Sequence, residues 1–254
     1  MKTRLGIRCS MLFAVVTLSC IISSCGGDRY HEVPFGGMKG RVQKVTVTHL
    51  WPEMWHAGEK GSDIMYITAS VYDSNGNEIC SAFMDSTGYV QVEAESVFEN
   101  GVCIRSIQKT ENKVVARLNL ISHKKGLYEY NKEINGNVVR MKVKKSSIRR
   151  RYKSVVSEDD AITTVSIINT DHSGHPIRIK DIDVKADSET VQENVYDENY
   201  NIIEKHITVK GEEKEEIIYT EYSDFDEKGN WKQARTYNRN RLPVEVLKRE
   251  IEYW

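Results

Sequence analysis

Past Gly40 the chain alternates hydrophobic and polar residues with a period of two over short runs. Met65, Ile67, Ala69 and Val71 share one face, with Tyr66, Thr68, Ser70 and Tyr72 on the other. Val90, Val92, Ala94, Ser96 and Phe98 alternate in the same way with Gln91, Glu93, Glu95 and Val97. A weaker example sets Ile203, Lys205, Ile207 and Val209 against Ile202, Glu204, His206 and Thr208. Successive side chains of a strand point to opposite faces, so the pattern predicts half-buried antiparallel strands. No capped helical stripe competes with it beyond the leader.

Turn formers punctuate these runs: Asp73 to Asn77, Asp85 to Gly88, Asn100-Gly101, Asn135-Gly136-Asn137, Asp171 to Gly174, Asp197 to Asn201 and Asp226 to Asn230. Asp opens such a turn through its side chain, and Gly or Asn supplies the positive φ that closes it. Several gaps between turns are about 10 to 14 residues and others near twice that, as if a turn had lost its signature. The expectation is an all-β, up-and-down antiparallel meander over residues 41–254, with a division into two half-sheets near 140–161.

Three turns share a fuller phrase: Tyr72-Asp73-x-x-Gly76-Asn77, Tyr196-Asp197-x-x-Tyr200-Asn201 and Phe225-Asp226-x-x-Gly229-Asn230. The phrase resembles, in degenerate form, the YD-type β-hairpin repeats of bacterial surface and secreted proteins; the second copy departs from it with Tyr200 where Gly is expected. The ending, Tyr222 through Trp231 to Trp254, resembles the closing hairpins of uncharacterised lipoproteins that carry such repeats. The resemblance implies a twisted antiparallel sheet that can curl on itself, and no catalytic site.

The first residues carry a different pattern. Lys2, Arg4 and Arg8 precede the mainly apolar run Met11 to Ile22, which reads as a helical secretory signal, too short to remain as a membrane span. The run ends in Ile22-Ser23-Ser24-Cys25, which resembles the lipobox of bacterial lipoproteins. That resemblance implies cleavage after residue 24, diacylglyceryl transfer to the Cys25 sulfur and acylation of the new amine. An ordinary signal cut near Ser24, or an uncut anchor, is the alternative. Residues 25–40, with Gly26, Gly27, Pro34, Gly36, Gly37 and Gly40, read as a flexible tether.

Composition then narrows the classes. The 254 residues hold 36 basic and 37 acidic side chains, which disfavours a basic nucleic-acid binder and a multi-span membrane protein. The leader carries three basic residues and no acid, leaving 33 basic and 37 acidic side chains. Cys9 and Cys20 leave with it, so Cys80 and Cys103 are the only thiols besides Cys25. In a meander they fall on strands flanking residues 89–98, about 9.6 Å apart, beyond the ~7 Å Cα limit for a disulfide; two free thiols are expected.

Candidate sites are few. The segment His49 to Gly58 holds Trp51, Trp55 and His56, and exposed indoles there would stack on sugars or on a partner's apolar surface. The preferred plain reading is a plug that buries both rings over the open end of the sheet. Asp171, His172 and His175 lack the ligand count of a zinc site and read as a polar hairpin tip. Ser122 and His123 point to opposite faces of a strand and cannot form a triad by themselves. Eight basic residues between Arg140 and Lys153 would suit phosphate or sulfated glycans, though lysines guarding an exposed sheet edge are the plainer reading. Glu212, Glu213, Glu215 and Glu216 read as a solvated hairpin end.

No nucleophile elbow, phosphate-binding glycine loop, zinc-protease motif or calcium loop occurs. The expectation is a membrane-anchored envelope lipoprotein, held through Cys25, acting as a non-catalytic binding or structural module without metal, cofactor or nucleic-acid partner. An envelope glycan hydrolase, or an immunity-like partner of a toxin, is the alternative.

Overall fold

The computed structural model describes residues 38–52, 64–146, 150–158, 161–212 and 215–254. Sixteen strands follow one another there: β1 (Val42–Leu50), β2 (Ile64–Tyr72), β3 (Glu78–Met84), β4 (Val90–Glu99), β5 (Val102–Thr110) and β6 (Lys113–Lys124). Then come β7 (Leu127–Ile134), β8 (Asn137–Ser146), β9 (Arg151–Glu158), β10 (Ala161–Thr170) and β11 (Pro176–Asp183). The last are β12 (Ser188–Tyr196), β13 (Ile202–Val209), β14 (Glu216–Phe225), β15 (Trp231–Tyr237) and β16 (Pro243–Tyr253).

The expected meander is present, and it closes. Each strand pairs antiparallel with its chain neighbours, and β1 pairs with β16 from Val42↔Tyr253 to Leu50↔Val246, completing a barrel. Closure satisfies every edge that an open sheet would leave unpaired. The division expected at 140–161 is absent: β8 and β9 pair from Arg140↔Ser157 to Ser146↔Arg151, within the ring. The edge-guarding role expected for the lysines of that segment fails with it, because the ring has no edge. The signal segment 1–24, Cys25 and most of the tether lie outside the described residues.

Two kinds of turn build ten of the hairpins. Between β4 and β8 the links are two-residue turns with both residues at positive φ: Asn100-Gly101, Glu111-Asn112, Lys125-Gly126 and Asn135-Gly136. Their twist matches that of the flanking strands. The second kind is a five-residue loop opened by Asp73, Asp85, Asp171, Asp197, Asp226 or Asn238. In each, the opening Oδ1 accepts the backbone N–H groups two and four residues on. The fourth position has positive φ in all six: Gly76, Gly88, Gly174, Tyr200, Gly229 and Arg241. The three-copy sequence repeat is thus part of a six-fold structural one, and Tyr200 keeps the loop despite not being glycine.

β1 starts and β16 ends at one rim, called the lower. Four of the six Asp/Asn loops lie there; those of Asp85 and Asn238 lie on the upper rim with Trp51. Side chains buried along the inner wall include Leu118, Tyr128, Tyr130, Met141 and Val143, packed with Leu120, Tyr152 and Val156. A second cluster, Met38, Val42, Val45 and Tyr72 with Val47, Ile251 and Tyr253, closes the seam near the lower rim. Full burial of such a side chain contributes about 1.5–3 kcal/mol.

Asn230, 1% exposed, reinforces that seam. In the first two repeat copies the fifth-position amide bonds its own opening carboxylate, Asn77 to Asp73 and Asn201 to Asp197. Asn230 Nδ2 instead donates to the Lys39 carbonyl and the Tyr253 hydroxyl, and Asn230 Oδ1 accepts the Lys39 N–H. Tyr253 in turn donates to Asp226.

Candidate functional site

Register places a polar and aromatic group on the inner wall just below the upper rim. His49 is opposite Tyr66 on β2 and Leu247 on β16; Thr68 is opposite Phe83 on β3. His49 Nδ1 lies 2.7 Å from Glu245 Oε1, and the Tyr66 hydroxyl donates to the same oxygen at 3.3 Å. The His49 ring stacks on Tyr66 with centroids 4.0 Å apart, and Phe83 continues the row 5.2 Å from Tyr66. Glu245 and His49 side chains are only 21% and 15% exposed, so their attraction is less screened than that of a surface pair.

Lys205 of β13 adds a cation to this wall. Burial holds its ammonium below the usual lysine range, and Glu245 pulls the other way. Further round the ring Lys132 is lowered by burial, and the Asp181 carboxyl is raised by burial against a Ser166 hydrogen bond. All three lie on strand faces that point to the inside of the ring.

Thr68 Oγ1 lies 3.5 Å from His49 Nε2, so Thr68, His49 and Glu245 stand in the order of nucleophile, base and orienting acid. Their surroundings suit binding better. The 3.5 Å contact is at the outer limit of a hydrogen bond. An aromatic shelf beside one carboxylate and one ammonium fits a polar ring such as a sugar.

Of the residues singled out in the sequence, Trp51 follows Leu50 directly at the mouth above His49 and is 52% exposed. That exposure departs from the plug, which requires a buried ring. Trp55 and His56 lie outside the described residues, as does Cys25. Asp171 and His175 form the expected hairpin tip: His175 Nδ1 lies 3.2 Å from Asp171 Oδ2, and its ring stacks on Tyr200 at 4.2 Å. Among the described residues no set of three His, Cys, Asp or Glu side chains gathers for a metal. Cys80 and Cys103, on β3 and β5 with β4 between them, form no disulfide. Glu245 and Lys205 were missed, since only closure of the ring brings them to His49; Tyr66 and Phe83 were missed because their meeting depends on the register of the β1–β2 and β2–β3 hairpins.

The outer wall is charged. Cross-strand pairs stand along it: Lys44–Glu252, Lys109–Glu95, Arg117–Glu133, Lys142–Glu129, Arg178–Glu193 and Lys180–Glu189. His206 sits between Glu204 and Glu215, and its imidazole is raised first by the Glu215 hydrogen bond. Two stripes depart from this pattern. One runs Ile67, Ala69 and Val71 beside Met84, Ala82 and Cys80; the other runs Val155, Val165 and Ile167.

No family model matches the chain, and no curated protein does. Among solved structures, a porin-like protein from Bacteroides uniformis overlays with a TM-score of 0.49 at 10% identity, covering 83% of this chain and 98% of that one. TcdB2-TccC3-TEV overlays with a TM-score of 0.27 at 12% identity, covering 74% of this chain and 11% of that one. At these scores neither resemblance bears on function.

Proposed function

We propose that the protein is an envelope lipoprotein whose barrel stands in water and is held to the membrane through lipid on Cys25, where it acts as a non-catalytic binding or structural module. The charged outer wall is the observation that carries this. A barrel that spans a bilayer turns apolar side chains outward, and each outward Lys or Arg at the midplane costs about 2–4 kcal/mol. Arg117, Lys142 and Lys180 occupy the middle of their strands, each paired with an acid, so this wall favours water. Membrane attachment then falls to acyl chains, each CH2 of which contributes about 0.8 kcal/mol.

Binding is assigned to the upper mouth, with Trp51, Tyr66 and Phe83 as the stacking surface and Glu245 and Lys205 as polar anchors. Trp55 and His56 belong to the same segment and join the proposed contact. The ligand class is a glycan or a protein partner with an exposed polar ring.

Palmitate labelling of wild type beside Cys25→Ala tests the anchor: label is expected on the first and not on the second. Protease shaving of intact cells then reports which side the barrel occupies. Tryptophan fluorescence titration with envelope glycan fragments, repeated on Trp51→Ala, tests the mouth. Label persisting on Cys25→Ala would overturn the reading.

A further inference from the structure

Many cations of the outer wall stand in ion pairs with acids, and one sector gathers several that do not. Direct register runs Lys124↔Leu127↔Lys144↔Lys153↔Ile167 across β6 to β10, near the lower rim. Lys144 and Lys153 face each other, a like-charge cross-strand pair that opposes folding. Lys125, Arg150 and Arg151 stand just below this row. Among the described residues no acid lies within ion-pair distance of Lys124, Lys125, Lys144, Lys153, Arg150 or Arg151, whereas Lys142, one step up β8, already has Glu129. Leu127, 37% exposed, interrupts the lysines with an apolar side chain.

We infer that this sector is a docking surface for the phosphate headgroups of an anionic membrane, the one to which the lipid on Cys25 would hold the chain. The inference rests on that anchoring for its geometry. Charge and chain length both support it. Lysines interleaved with Leu127 and Ile167 suit an interface where ammonium groups meet phosphate and aliphatic groups enter the headgroup layer. The sector and the start of β1 share the lower rim, so both face the same way along the barrel axis. They stand on opposite sides of the ring, which for sixteen tilted strands is roughly 30 Å across. The chain from Cys25 to Met38 spans up to roughly 45 Å when extended, enough to let the barrel lean onto that side.

The test uses the mature chain, residues 25–254, with Cys25→Ala, so that neither the leader nor lipid on that residue contributes and a failure here is distinct from a failure of the anchor. Co-sedimentation is measured with phosphatidylglycerol-containing vesicles and with pure phosphatidylcholine vesicles, at low and high salt. Salt-sensitive binding to the anionic vesicles alone is expected. Lys144→Glu with Lys153→Glu should weaken it about tenfold or more, while Lys113→Glu with Arg239→Glu, the same charge change on the upper rim, should leave it within about twofold. Lys144→Gln with Lys153→Gln guards against misfolding, since it relieves the like-charge contact and should still weaken binding. Equal loss in the two reversal pairs, unchanged binding in the Lys144/Lys153 variants, or retention by soluble heparin without vesicle binding would overturn the proposal.

Discussion

Arg249 lies flat on the indole of Trp231, its guanidinium carbon 3.7 Å from the ring centroid, while its Nε–H donates to the Trp231 carbonyl at 2.8 Å. Arg249 is 5% exposed, and burial lowers its guanidinium to about 10. Its Nη2 has no hydrogen-bond partner, so the stack and the one bond must offset the cost of a buried cation. Arg249→Lys keeps the charge but loses the planar stack and the Nε bond; Arg249→Met keeps the stem and loses the charge. Urea unfolding should show a loss of about 2–3 kcal/mol for Arg249→Lys and about 1 kcal/mol for Arg249→Met. The reverse order would mean that the charge itself stabilises the seam.

Asn230 ties three segments together, whereas Asn77 serves only its own loop. A neutral hydrogen bond is worth about 1 kcal/mol net. Asn230→Ala should therefore cost about 2–3 kcal/mol and Asn77→Ala about 1 kcal/mol in chemical denaturation. Amide exchange near Lys39 and Tyr253 should rise in the first variant alone.

Tyr200 pays for its φ of 63° with a side-chain contact that glycine cannot make. Its ring stacks on His175, and its hydroxyl accepts from Ser173 Oγ at 3.4 Å. Relief of the left-handed conformation is worth about 1 kcal/mol, and the stack about 0.5–1.5 kcal/mol. Tyr200→Gly should thus change stability by less than about 1 kcal/mol, while Gly76→Tyr, with no such stack provided, should destabilise by at least about 1 kcal/mol. Thermal melts of the two variants compare them directly.

Strand period and turn chemistry were legible along most of the chain because both are local. Where the turn residues were atypical, the hairpins were hidden: Glu111-Asn112 and Lys125-Gly126 hold φ values of 50° and 62°, and 50° and 75°, without the Asn-Gly signature. Asn238 to Leu242 lacks both Asp and Gly, yet adopts the same loop as Asp73 to Asn77. Closure was beyond local reading, since Val45 and Ile251 meet only after fourteen intervening strands have each turned a little further. The mouth depends on that closure, with His49 and Glu245 separated by 196 positions. For the same reason the lysines of β8 and β9 read as an edge in one dimension and as open wall in three.

Thiol chemistry should separate the two cysteines. Cys103 is fully buried, whereas Cys80 sits half-buried on the outer wall, its thiol raised by burial and by Glu93 and Glu95. Only the thiolate reacts quickly, so native mature protein should take up an alkylating label slowly at Cys80 and not at Cys103. Unfolded without reductant, both should be labelled, which intact mass would show as two additions. A single addition or none would mean that a thiol is already blocked.

The lower seam should also carry a pH signature. Glu78 lies beside Tyr72, whose hydroxyl donates to Glu78 Oε2 at 3.4 Å, and burial raises both groups above their usual ranges. A carboxyl raised in the folded state binds its proton there first, so between the unfolded value near 4.3 and the folded one stability increases as pH falls. Above the folded value both states are ionised, and the folded state alone bears the desolvation cost. Glu78→Gln removes that charge at every pH. Its Tm should exceed that of wild type at neutral pH, and the gap should close as acidification protonates the wild-type carboxyl. If Glu78→Gln instead lowers Tm at neutral pH, the hydrogen bonds that the carboxylate takes from Ser70, Ser81 and Tyr72 outweigh its burial.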